Sequence, residues 1–333
     1  MRGRTDILFW ALSAAIVILF AADISAGSHA IPIERIWALI TGSDGDAVAR
    51  NILLKIRIPK AVTALLAGAA LAAAGLQMQT LFSNPLAGPY VLGISSGASL
   101  GAALFLLGLP LAGVALPAAV KSLGTAGAAC IGAGAVMFAV MSLSRRIKDI
   151  MVILILGMMV GAAIGAVVEI LQYLSDENAL KSFVVWSMGS LGDMTTAQLR
   201  LALPVTLAGA VLSIALVKPL NLLMLGENYA RSTGVNIART RRMIFASTTL
   251  LAGTITAFCG PIGFIGLAAP HLARMLFARA DHRILMPASM LTGAAVMLVC
   301  DILSKSLALP VNTVTALTGI PVVIFVVIRY RSI

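Results

Sequence analysis

Little in this 333-residue chain is of a type and spacing that would carry out covalent chemistry. Cys130, Cys259 and Cys300 stand singly in apolar runs, with neither paired spacing nor a histidine cluster for a metal, and read as buried thiols. His29, His271 and His282 are equally scattered and read as structural, with Pro270 and His271 placed to sit at a helix kink. A phosphate loop of the G-x-x-x-x-G-K-S/T type is absent, so nucleotide hydrolysis by that route belongs to another chain. The apolar runs hold no paired acids or activated nucleophile, which argues against a membrane-embedded enzyme. Their main ionisable groups, Glu169 and Asp301, fall near the outer ends of spans, and Asp301 is spaced i,i+4 from Lys305. Local pairing is a sufficient account of that spacing; an ion-coupled carrier, which needs acids near the midplane, is the alternative reading. One polar pattern has a mechanical use. Between Gly226 and Gly234 a helix-length run puts Glu227 and Arg231 at i,i+4 on one face. A surface ion pair there would contribute only about 0.3 to 0.5 kcal/mol, so the exposed face serves better for docking a partner.

The elements that must carry these residues follow from solvent. With 60% hydrophobic and 11% charged residues and a mean hydropathy of +1.02, the chain has too little polar surface to coat a globule in water. Runs long enough to cross a hydrocarbon core lie near 7–27, 61–82, 90–109, 117–143, 150–173, 199–217, 243–259, 262–278, 284–303 and 310–328. The weakest boundaries are at Pro110 to Pro117 and at Gly260-Pro261, which leaves nine or eleven spans open. Without the alternation of barrel strands, the fold expected is an all-α polytopic bundle of about ten transmembrane helices forming one domain over 1–333. Ten spans divide into two halves of five, and an odd number per half makes them inverted; Gly- and Pro-containing elements at 84–97 and 260–271 are loose counterparts. Small residues from Leu66 to Gly75 predict close helix packing. The run after Met1-Arg2-Gly3-Arg4 is read as a retained first helix, although Ser28 and Ala30 resemble the surroundings of a signal cleavage site.

The net charge of +11 is spread over short loops, which argues for membrane topology and against nucleic acid. With both termini inside, 15 of the 24 Lys and Arg are cytoplasmic, among them Arg145, Arg146, Lys148, Arg274 and Arg331, and the hydrophilic segment 218–242 lies on that side. Arg50, Lys55, Arg57 and Lys60, in segment 50–60, then fall outside with Lys305. They would either snorkel to headgroups or form a basic rim for an acidic partner.

Several motifs, in order, carry a family likeness over nearly the whole chain: Arg57-Ile58-Pro59-Lys60, Leu66 to Leu71, Gln77-Met78-Gln79, Asn84-Pro85-Leu86-Ala87 and Leu92 to Ala98. Further on come Gly226-Glu227-x-x-Ala230-Arg231-x-x-Gly234-Val235, Gly263 to Leu267, Pro270-His271 and Asp281-His282-Arg283. Together they resemble the FecCD family of importer permeases. That resemblance implies a permease of the bacterial plasma membrane that forms a homodimer, or pairs with a close relative, around one pathway. Two cytoplasmic ATPases, which bind the ATP, and one extracytoplasmic binding protein would complete it. No cofactor is expected on this chain. The cargo implied is a metal chelate such as a ferric siderophore, haem or cobalamin. Residues 226–235, with Gly226, Glu227, Ala230, Arg231, Gly234 and Val235, match the loop that presses into the ATPase. Arg57, Lys60 and Lys305 match positions that receive glutamates of the binding protein, with Lys for Arg at two of the three, which keeps the charge and loses the bidentate fork. Ser95, Ser96 and Gly97 are candidates to line the pathway.

Overall fold

The computed structural model describes residues 2–27, 31–43, 45–114, 117–144, 147 and 149–330. His29, the cleavage-like surroundings at Ser28 and Ala30, and the basic residues Arg145, Arg146, Lys148 and Arg331 lie outside them. The described residues contain helices and no strand. In chain order the helices are α1 (Arg2–Ser25), α2 (Ile33–Thr41), α3 (Ala47–Leu81), α4 (Ile94–Leu111), α5 (Ala118–Ser144), α6 (Ile150–Leu174) and α7 (Glu177–Ser187). They continue as α8 (Thr196–Ala215), α9 (Val217–Leu223), α10 (Glu227–Ser232), α11 (Ile237–Cys259), α12 (Ile265–Phe277), α13 (His282–Leu307) and α14 (Val311–Tyr330). Helices α1, α3, α4, α5, α6, α8, α11 and α13 are long and apolar enough to cross a membrane; α12 is a shorter apolar helix, and α14 is apolar over Val311–Val326. Each of the ten expected runs therefore holds a helix, and both doubtful boundaries are real breaks. The chain is an all-α, multi-pass membrane protein.

Starts are set by side chains that satisfy the orphan N–H groups of a first turn. Asp46 caps α3 through the amides of Val48 and Ala49, and Asp149 caps α6 through Met151. Asp176 caps α7 through Ala179, and Thr195 with Gln198 forms a capping box on α8. Asp46 also corrects the second span, which begins at Ala47 and so takes in the basic segment 50–60 as helix. Within it, residues Leu53–Arg57 form one wider turn, closed by the Ile58 amide on the carbonyl of Leu53.

Glycine permits the closest crossings. A Cβ on Gly68 would collide with the carbonyl of Gly293, one on Gly75 with that of Gly266, and one on Gly97 would come within 2.5 Å of the Gly132 oxygen. The centre of α3, from Ala70 to Leu76, is accordingly buried against α12 and α13, while α4 packs on α5. Cys259 and Cys300 are buried as expected; Cys130 is exposed on α5, because the glycines and alanines that seat α5 lie on its other side.

The chain is broken at bundle depth over residues 82–93 and 260–264, and the helix after each break begins behind a residue of positive φ, Gly93 at 79° and Phe264 at 65°. The two breaks meet where the Tyr90 hydroxyl donates to the carbonyl of Ile262 at 3.0 Å and Pro89 abuts Gly266. Irregular backbone is tolerated there because the protein itself supplies partners.

Candidate functional site

Two polar regions stand at opposite ends of the bundle. At one end, α9 and α10 connect α8 to α11. Gly226 and Gly234 bracket α10 with φ of 102° and 89°; a Cβ at either would meet nothing, so glycine is needed for the backbone angle alone. Ala230 is buried and seats the helix, and the Val235 amide returns to the carbonyl of Ala230 at 3.0 Å. The i,i+4 pairing of Glu227 with Arg231 does not form. Glu227 instead pairs with Arg241 of α11, whose side chain is only 6% exposed, because α10 turns that face onto α11. Arg231 is left outward, and Leu225 and Tyr229 are 64% and 51% exposed. A cavity of about 520 Å³ adjoins them, lined by Glu227, Arg231, Arg241, Arg242, Ser144 and Ile147. The result is a short helix tied to the bundle on one side and presenting apolar and cationic groups on the other.

Behind it lies a junction of polar groups that runs from exposed Asp281 to buried His282, Thr80 and Gln79. Asn221 of α9 accepts from the backbone N–H of His282 at 2.8 Å, and its Nδ2 donates to Asp281 at 2.6 Å. His282 is fully buried and contacts Thr80, at the end of α3, at 2.8 Å. The neighbouring Gln79 donates to the carbonyl of Leu267 at 3.2 Å and accepts from Arg274 at 2.8 Å. His271 is structural, its Nε2 standing 2.8 Å from the carbonyl oxygen of Pro85.

At the other end the expected basic rim is corrected. Arg57 is buried and donates to the carbonyls of Ile24 and Ser25 at 2.9 and 3.0 Å, closing the C-terminal end of α1. Lys305 reaches Asp23 at 2.9 Å and Asp301 at 2.7 Å, and Lys60 reaches Asp301 at 3.1 Å. Asp23 and Asp301 are both fully buried, so the lysines turn inward to neutralise them rather than outward to a partner. The i,i+4 pairing of Asp301 with Lys305 is present. Arg50 and Lys55 are the exposed basic residues of this segment, and Glu169 is exposed on α6.

Gly97 does not face an open path, since α5 backbone fills its place, while Ser95 and Ser96 are half-buried and Ser96 Oγ stands beside Gly161 of α6. Asp23, Thr80 and Asn221 were not foreseen. Asp23 carried a signal, an acid at the end of an apolar run; Asn221 and Thr80 carried none, because their partners are 61 and 202 residues away.

These features define a class: a polytopic helical membrane protein with broken helices at bundle depth and, at one end, a short helix that presents apolar and cationic side chains outward. The chain belongs to the FecCD transport family, which it matches over residues 15–329. It is 36% identical to the hemin transport system permease protein HmuU of Yersinia pestis, covering 100% of this chain and 99% of that one. It is 33% identical to the molybdate import system permease protein MolB of Haemophilus influenzae, over 97% and 95%. It is 35% identical to the vitamin B12 import system permease protein BtuC of Klebsiella pneumoniae, over 99% and 96%. A solved structure of a metal-chelate type ABC transporter in an inward-facing conformation superposes with a TM-score of 0.82 at 28% identity, covering 98% of this chain and 99% of that one.

Proposed function

We propose that the chain is the membrane-spanning permease subunit of a binding-protein-dependent, ATP-driven importer. In this reading two copies enclose one pathway in the bacterial plasma membrane, with both termini cytoplasmic, and move a metal chelate inward by alternating access. The observation that carries it is the α9–α10 segment. Its Glu227–Arg241 pair and buried Ala230 hold it to the bundle, while Leu225, Tyr229 and Arg231 stand outward. Such a segment suits a cytoplasmic ATPase that binds the ATP this chain has no loop to hold. A ferric siderophore, haem or cobalamin fits the cargo. The ion-coupled alternative would draw on Asp23 and Asp301, but both are met by lysines at one end of the bundle.

The test is purification of the tagged chain in mild detergent, with wild type compared with Leu225→Glu, Arg231→Ala and Glu227→Ala. The expected result is a co-purifying ATPase that Leu225→Glu displaces and that Arg231→Ala and Glu227→Ala weaken. Uptake is then measured with haem, cobalamin and a ferric siderophore, and with molybdate because of the Haemophilus relative. Uptake that follows an ion gradient, with no ATPase attached under several gentle conditions, would overturn the importer reading.

A further inference from the structure

Among the described residues the α9–α10 segment has two polar side-chain attachments to the bundle, beside the apolar seating by buried Leu220, Leu223 and Ala230, and they lead to different helices. Glu227 ties α10 to α11 through Arg241. The second attachment runs from α9 through Asn221 and His282 to Thr80, and so reaches both α13 and α3. Its proton positions follow from hydrogen-bond inventory. The backbone N–H of His282 can only donate, so the Asn221 atom 2.8 Å from it is the carbonyl oxygen, Oδ1. That oxygen also lies 2.8 Å from Nδ1 of the ring, which must therefore carry a proton and donate. Nε2 then faces Thr80 Oγ1 at 2.8 Å, and the single proton of that hydroxyl is shared between Nε2 and the Leu76 carbonyl, 2.9 Å away. Asn221 is further fixed by donating to Asp281, which itself accepts from the Arg283 amide at 2.9 Å.

The chain α9–His282–α3 is thus two side-chain hydrogen bonds long and buried at its centre. Beyond it, α3 is locked to α13 and α12 by the close crossings at Gly68–Gly293 and Gly75–Gly266, so a displacement of its end moves the seam as a body. Gln79, next to Thr80, adds the bond to α12 at the same level. Capping α13 alone would require only Asp281; a bond from a separate helix to the histidine ring adds a mechanical connection.

We propose that His282 is a positioning residue that transmits displacement of the ATPase-facing segment into α3, with Asn221 and Thr80 as its two contacts. This rests on the importer reading above. Its test needs no cargo. The permease–ATPase complex is placed in nanodiscs with spin labels at Leu86→Cys, just beyond α3, and Phe138→Cys on α5, both exposed, the native cysteines being replaced by alanine. Thr80→Val and Asn221→Ala each remove one contact of the relay. Thr292→Val is the control, because it removes a buried hydroxyl on α13 that bonds only back to its own helix at 2.8 Å.

In wild type and Thr292→Val, ATP with vanadate is expected to shift the distance between the labels. In Thr80→Val and Asn221→Ala the shift is expected to be lost, with the ATPase still bound and its hydrolysis within about threefold of wild type, a split that general destabilisation would not give. A shift that persists in both relay variants overturns the proposal, as does loss of the shift only in step with loss of assembled complex. A wild-type complex that hydrolyses ATP without any shift overturns this inference alone. A wild type that holds no ATPase removes the importer reading and the inference with it.

Discussion

Two buried acids, Asp23 and Asp301, meet two half-buried bases, Lys60 and Lys305, and the energetics of the set rest on balance rather than on any single pair. Lys305→Met leaves two buried acids to one lysine and is expected to cost about 3 to 5 kcal/mol. Adding Asp23→Asn leaves Asp301 with Lys60 and should recover most of that loss, which a double-mutant cycle of denaturation in mixed micelles would measure. Equal, additive losses would show that the groups act independently. Asp281 offers a second check. The Arg283 amide, aided by Asn221, holds its carboxyl below the usual carboxylate range against a smaller opposing effect of burial. Its folded value lies below the unfolded one, so its contribution is complete above the unfolded value and is lost as pH falls through the folded one. The denaturation midpoint should therefore gain an acid-side decline below about pH 4 that Asp281→Asn removes, with no difference in slope between wild type and variant near neutrality.

At the scale of elements, the contact of α3 with α12 and α13 depends on having no side chain where backbones cross. Gly68→Ala drives a methyl into the carbonyl of Gly293, and backbone cannot yield as a flexible side chain would. The expected cost is about 1 to 3 kcal/mol, read as a lower midpoint. Gly127→Ala is the comparison, because a Cβ there meets nothing, and it should be close to neutral. The small-residue run from Leu66 to Gly75 made this seam legible in the sequence. Which helices it joined was not legible, since Gly293 and Gly266 lie about two hundred residues further along.

For the whole molecule, the inward turn of Lys60, Lys305 and Arg57 changes where an acidic partner would meet it. Arg50 and Lys55 remain exposed on that segment, so Arg50→Glu with Lys55→Glu is expected to slow binding-protein association and flatten its salt dependence. Lys60→Glu, beside buried Asp301, should instead lower stability. If Arg50→Glu with Lys55→Glu leaves both rate and salt dependence unchanged, charge on this segment has no part in docking.

The sequence by itself determined the class of solvent, about ten helical runs, punctuation between 82 and 90 and at Gly260-Pro261, and the short helix between Gly226 and Gly234; how far each break extends, to Gly93 and Phe264, came from the structure. Each of these is local: apolar length, punctuation by Gly and Pro, and caps such as Asp46 and Thr195 act within a few residues. Tertiary structure decided which charges meet. Glu227 had Arg231 in reach along its helix and took Arg241; Lys60 and Lys305, expected to face outward, found Asp23 and Asp301. The reason is burial. Where a carboxylate loses water, the nearest cation in space is recruited to neutralise it, and nearness in space is a property of the packed bundle that no spacing along the chain records.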